Sequence, residues 1–437
     1  MAFMMNKYKF VPYPAFILGM SAVILLLITS LGCTARQIRA FKGSPPSAEE
    51  LYDQAVGIIE MNYIDDEGRA IKVNTSKRPD IDSLMSQLDK RSALITRKEL
   101  EVLANPFAAD LGIRIESRKD QLYIIGSIKG SPADRAGISI GYRIVEINGM
   151  PVEGLPFSKF FALLKGESGS EVSLKIVGAN SETKVINLLR EVIKEESLAE
   201  VSMIRGKVGY IRLRKFDDKI STKLQSAIKK LKKDGMKCLI LDLRGNGGGL
   251  LQSVIDTSQL FLNSGKMILQ IKGSDLQKDR NFYASWWTRY LDFPMVILID
   301  RYTGRGAEMF AAALRDNQRV HLVGENTLGS ASIYALFNLD DDFLLYIRTH
   351  FAYSANGQKI DEIGLLPDIE VKISEEELNR LYREVIFNEK MIVDADIEDK
   401  QLNGGVSYLL KQIESTSRGT GGKEDIADSV SRPEGLP

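Results

Sequence analysis

Three glycines, Gly247, Gly248 and Gly249, follow an apolar strand-like run, Leu239 to Leu243, and precede a helix-patterned stretch, Leu250 to Leu262. A strand ending in such a cluster and passing into a helix leaves backbone N–H groups unpaired at the helix start, with the helix dipole behind them. That arrangement suits a phosphate, a carboxylate or a developing oxyanion, and a purely structural tight turn is the alternative. The phosphate-loop pattern G-x-x-x-x-G-K-[ST] is absent. Only two histidines occur, His321 and His350. Both lie in strand-like runs with no serine motif beside them and no G-x-S-x-G elbow anywhere, so no Ser–His–Asp triad is expected. No Cys/His spacing accompanies them, and neither a metal nor a cofactor is expected.

The elements that position these residues need several cores. A chain of 437 residues corresponds to roughly two to four domains. Its 44% apolar and 27% charged content is that of a folded protein, and 58 basic residues balance 58 acidic ones, so no field for nucleic acid arises. Cys33 and Cys238 provide no internal disulfide framework, and Cys238 reads as a core residue. Ala15 to Cys33 form an almost uninterrupted apolar run behind Lys7 and Lys9, long enough for a bilayer-spanning helix or an export signal. Gly32 before Cys33 also fits a lipoprotein signal. Against it, the leucine expected three places before the cysteine is Ser30, with Leu31 one place late.

Helical spacing runs through Leu51, Ala55, Ile58 and Ile59. Short alternating strands with glycine turns fill Pro106 to Ile193, and strands alternate with amphipathic helices from Val201 to about Ile373. That order predicts an α/β multidomain protein with a parallel sheet covered by helices. The expected divisions are 1–33 as signal peptide or membrane anchor, 34–105 as a helical segment, 106–197 as the β-rich module, 198–373 as the α/β core, and 374–437 as a C-terminal helical segment with a disordered tail.

The β-rich module, with DLGIRI at Asp110 to Ile115, GSPADRAGISIGYRIVEING at Gly130 to Gly149 and LLKGESGSEVSLKI after it, resembles a PDZ domain. The resemblance implies that Asp110, Leu111, Gly112 and Ile113 offer backbone N–H groups to a peptide's terminal carboxylate while the peptide adds as a strand to a sheet edge.

LILDLRGNGGGLLQSVIDTSQLFL, with HFAYSANGQKIDEIGLLPDIEV at His350 to Val371 and LDKRSALIT before the PDZ module, resembles the C-terminal processing peptidases, or tail-specific serine proteases. The resemblance covers Leu88 to Val371 and implies a core of the ClpP/crotonase-like type. It implies oxyanion-hole-like roles for Gly248 and Gly249. That family uses a serine in S-A-S-A-S-E, a lysine in T-F-G-K-G and a supporting glutamine. The corresponding text here is TGRGAE and TLGSAS, so those positions hold Arg305, Ser330 and Tyr334.

An exchange of roles fails chemically, because a serine hydroxyl needs a proton acceptor and a guanidinium has no lone pair to offer. No catalytic residue is therefore expected at Arg305, Ser330 or Tyr334. Arg305 reads either as a solvated helix-start arginine, free or paired with Asp316 or Asp340, or as a cation that holds a carboxylate beside the glycines. The expected function is that of a non-hydrolytic homologue binding protein C-termini or regulating an active protease relative, on the periplasmic side of the inner membrane and tethered through the N-terminal segment or a lipid on Cys33, with oligomers possible. Its rivals are an active serine-type processing peptidase with a non-standard site and a structural envelope protein with an idle groove.

Overall fold

The computed structural model describes residues 47–420 apart from 78–79, 106, 119–120, 139, 179, 275–278, 286–289, 388–391 and 393–397. The apolar run Ala15 to Cys33 lies outside them. No helix among the described residues is long and apolar enough to cross a membrane.

The strands form three sheets. The central one runs Ile369–Glu370, His321–Gly324, Met295–Ile299, Cys238–Asp242, Val208–Leu213 and Leu198–Ile204. All neighbours pair in parallel except Leu198–Ile204, which closes one edge antiparallel. The three middle strands are buried at every position, as a parallel sheet covered on both faces requires. The two-residue period separates the faces. Ile211, Leu213, Leu239, Leu241, Ile297 and Ile299 pack with the helices Ile220–Lys233, Leu251–Ser258 and Gly306–Asp316. Tyr210, Cys238, Ile240, Val296 and Leu298 meet the C-terminal elements Glu375–Leu381, Tyr382–Ile386 and Lys400–Thr420. Burial pushes the Cys238 thiol up to about 11, in keeping with a core residue.

The second sheet is antiparallel and centres on the long strand Phe343–Tyr353. It pairs with Ala93–Thr96, Ser332–Asn338 and Met267–Lys272, and Arg280–Tyr283 extends it. The segment expected to be helical thus contributes a strand along with the helices Ala48–Asn62 and Arg97–Ala104, because Ala93 and Ile95 bury one alternating face against Phe343–Tyr353. The third sheet runs Ile113–Arg118, Gln121–Ser127, Arg143–Ile147, Glu171–Val177 and Thr183–Leu189, with the helix Phe157–Leu164 over a separate apolar core.

One buried ion cluster fastens the C-terminal elements to the central sheet. Arg244 donates to both oxygens of Asp242 and both of Asp399, all essentially inaccessible. Two carboxylates around one guanidinium satisfy its planar fork, and they raise its pKa against the opposing effect of burial. Removing one partner leaves buried charge uncompensated, so Asp399→Ala is expected to cost about 3 kcal/mol. Hydrogen exchange in Lys400–Thr420 should rise selectively in that variant, and unchanged protection there would show that the cluster does not hold the segment.

Candidate functional site

Two loops at the C-terminal ends of the central strands meet at the start of the helix Gly306–Asp316. The first carries the glycines. Asn246, fully buried, sends its side-chain amide to the Leu213 carbonyl at 2.8 Å and accepts the Gly248 N–H on its oxygen at 2.8 Å. Gly248 stands at φ +94°, and a side chain there would run into Gly306 N and Arg305 Cβ. The Gly248 N–H is therefore spent on Asn246 and not free for an oxyanion. Gly249 is exposed, and its N–H keeps no partner among the described residues. Of the two oxyanion-hole-like residues expected, only Gly249 retains a donor, because asparagine two residues upstream of Gly248 closes a local turn on it.

The second loop joins Met295–Ile299 to the helix. Asp300 accepts the N–H groups of Tyr302, Thr303 and Gly245 and the hydroxyl of Tyr382. Thr303 donates its hydroxyl to the Leu243 carbonyl at 2.9 Å, and the Gly304 N–H reaches Asn246 O at 2.9 Å. Arg305 follows at φ 53°, ψ −119°, a backbone region that costs a side-chain-bearing residue roughly 1–3 kcal/mol.

Glu308 joins this turn to the loop of Ser330. Its fully buried carboxylate accepts the Arg305 N–H at 2.8 Å, the Thr327 hydroxyl at 2.6 Å, the Gly329 N–H at 2.6 Å and the Ser330 N–H at 2.9 Å. Burial pushes its pKa up, and the four donors work against that rise.

Arg305, Ser330 and Tyr334 are brought to one place, and Arg91 joins them. The Arg91 guanidinium donates to the Ser330 hydroxyl at 2.6 Å. No group accepts the Ser330 proton among the described residues, and Ser330 is 1% exposed. Tyr334 donates its hydroxyl to Asp89 at 2.8 Å and stacks on Tyr346 with centroids 5.0 Å apart. Burial and then the Asp89 charge hold the Tyr334 phenol protonated far above its ordinary range. Arg305 keeps exposed surface, yet the protein packed around its guanidinium and the nearby Arg91 lower its pKa. It pairs with neither Asp316, which accepts from Arg315, nor Asp340. Arg91 escaped the sequence reading: it sits inside a matched block, but nothing local marks a residue that meets its partner 239 positions away.

The PDZ-like loop is also internally satisfied. Asp110 accepts the Leu111 N–H and, at 3.1 Å, the Gly112 N–H. The nest expected to take a peptide carboxylate is filled by the chain's own, because a short acidic side chain reaches back to the next two amides. Gly112, at φ +76°, packs against Ser131, where a Cβ would lie 2.3 Å from another Cβ. Ile113–Arg118 remains an edge strand of its sheet.

A parallel sheet with an oxyanion-type turn at its carboxyl ends, accompanied by a PDZ-like sheet, defines a PDZ-bearing serine-peptidase fold. Residues 207–371 match peptidase family S41 and residues 123–178 match the PDZ domain, so the chain carries an S41-type domain and a PDZ domain. It is 31% identical over 263 residues to the carboxy-terminal processing protease CtpA of Bacillus subtilis, a match spanning 60% of this chain and 56% of that relative's length. A carboxyl-terminal-processing protease of Synechocystis sp. is 28% identical over 358 residues, 75% of this chain and 83% of the relative. The solved photosystem II D1 C-terminal processing protease shares the fold, with a TM-score of 0.62 and 23% identity over 79% of this chain and 100% of that one.

Two substitutions test this geometry with opposite signs. Glu308→Gln turns an amide toward donors and strands about two of them, so it should lower stability by roughly 2–4 kcal/mol. Arg305→Gly, suited to φ 53°, should raise it by about 1 kcal/mol. Denaturant midpoints at unchanged slope would register both, and a neutral Glu308→Gln would remove the carboxylate from its central role.

Proposed function

We propose that this chain is a non-hydrolytic member of the S41 family that binds polypeptide tails in the cell envelope. The observation that carries the reading is the Ser330 hydroxyl, buried against the Arg91 guanidinium and hydrogen-bonded to no proton acceptor among the described residues. Acyl transfer needs a group that takes the nucleophile's proton and later returns it. A guanidinium holds its protons at neutral pH, the Tyr334 phenol is held protonated, and the Glu308 carboxylate is occupied by four donors. Arg305 stands at the strained turn where the family resemblance calls for the nucleophile. The PDZ module and its edge strand Ile113–Arg118 support tail binding by strand addition.

The purified chain should neither react with a fluorophosphonate probe nor cut an unfolded protein with an apolar C-terminus. Cleavage that persists through repurification and vanishes in Ser330→Ala or Ser332→Ala would establish the active-peptidase alternative. The envelope location rests on the apolar run Ala15 to Cys33. An alkaline phosphatase fusion after Lys42 should therefore be active in an intact bacterium. An inactive fusion would place the rest of the chain on the cytoplasmic side.

A further inference from the structure

Arg91 and Arg305 are two cations that form no ion pair among the described residues. Arg91 donates to a neutral hydroxyl, that of Ser330, and the Arg305 guanidinium has no hydrogen-bond or ion-pair partner among the described residues. The other arginines described around the cleft are neutralised: Arg244 by Asp242 and Asp399, Arg348 by Asp66, Arg301 by Glu325 and Glu375. The backbone brings the two residues to one place. Arg305 N and Ser330 N donate to the same oxygen of Glu308, at 2.8 and 2.9 Å, and Ser330 is the residue that Arg91 grips. The carboxylates nearby form no ion pair with either arginine among the described residues, and Glu308 acts on the Arg305 guanidinium only through space. Glu308 is saturated by its four donors, and Asp89 takes the Tyr334 and Ser92 hydroxyls and forms no ion pair with either Arg91 or Arg305.

Two guanidiniums kept near each other against their mutual repulsion, with Arg305 exposed, are arranged for an anion supplied from outside. The surroundings narrow its chemistry. Leu328, 45% exposed, lies over Gly304, the residue before Arg305, with its Cδ2 2.9 Å from where a Gly304 Cβ would stand. Ile363 and Leu366, 53% and 64% exposed, follow on the adjoining segment, where Asn326 and Thr327 bond to Ile363 and Leu365. Charge for a carboxylate beside uncovered aliphatic surface matches the last residue of a polypeptide with an apolar side chain. With the Asp110 to Gly112 nest already filled by its own carboxylate, the module has no free N–H pair there to compete for that group.

We infer that Arg91 and Arg305 form a receptor for the C-terminal carboxylate of an apolar-ended polypeptide, occupying the place where the resemblance sets peptide cleavage. This deepens the tail-binding reading and relocates the carboxylate from the PDZ loop to the core. It requires no bond to form or break.

The test is a calorimetric titration of the full chain with N-acetyl-leucine, N-acetyl-leucinamide and the α-amide of N-acetylglutamic acid. The expected result is that the first binds and the other two bind at least tenfold more weakly. Arg305→Gln and Arg91→Gln should each reduce N-acetyl-leucine binding at least tenfold, with near-ultraviolet dichroism confirming that the variants fold. Arg305→Lys, which keeps the charge but loses the fork, should fall between. Equal binding of acid and amide, no binding of the acid, or full binding in both glutamine variants overturns the inference. Equal binding of the glutamate side chain overturns the assignment to a chain terminus. A ten-residue apolar-ended peptide separates the two proposals. If it binds with acid preference intact in both arginine variants, tail binding stands and this receptor falls. If N-acetyl-leucine binds and the peptide does not, the receptor for a polypeptide end and tail binding both fall.

Discussion

The Glu308 carboxylate is the constraint on which the cleft depends. It is buried with no ion pair among the described residues, and it accepts from one hydroxyl and three backbone amides drawn from two loops. A buried carboxylate is tolerated only when so many donors converge on it. The converse holds as well: those amides, at the strained start of one helix and in the turn before Ser332–Asn338, would be orphaned without it. Through this one group the positions of Arg305 and Ser330 are set by each other.

The same economy fixes the backbone of the turn at Arg305 independently of its side chain. The turn at Arg305 keeps φ 53° although arginine gains nothing locally from it, since Asp300, Asn246 and Glu308 dictate the backbone from outside. Side chains projecting into the cleft are free to vary as long as these three hold. Strain maintained in this way is a feature of functional sites, and here it presents a cation where the family resemblance calls for a nucleophile.

Much of the architecture was legible because its signals are local. Buried strands read as apolar runs, glycine clusters punctuate them, and the alternation of strands with amphipathic helices from Val208 to Gly324 gives the parallel sheet directly. The second sheet was not legible, because Ala93–Thr96 and Phe343–Tyr353 look like ordinary short runs until they meet across most of the chain. Arg91 was hidden for the same reason. The filled nest at Asp110 and the spent N–H of Gly248 were within reach. Both follow from Asp or Asn placed just before the amides in question, a side-chain chemistry that competes with any ligand for the same donors.

Electron density for the full chain crystallised with an apolar-ended peptide acid tests the account most directly. The account predicts an uncleaved peptide whose terminal carboxylate lies between the guanidiniums of Arg91 and Arg305, with the Ser330 hydroxyl unmodified. A shortened peptide, an acyl group on Ser330, or a carboxylate seated on the Leu111 and Gly112 amides with Asp110 displaced would contradict it.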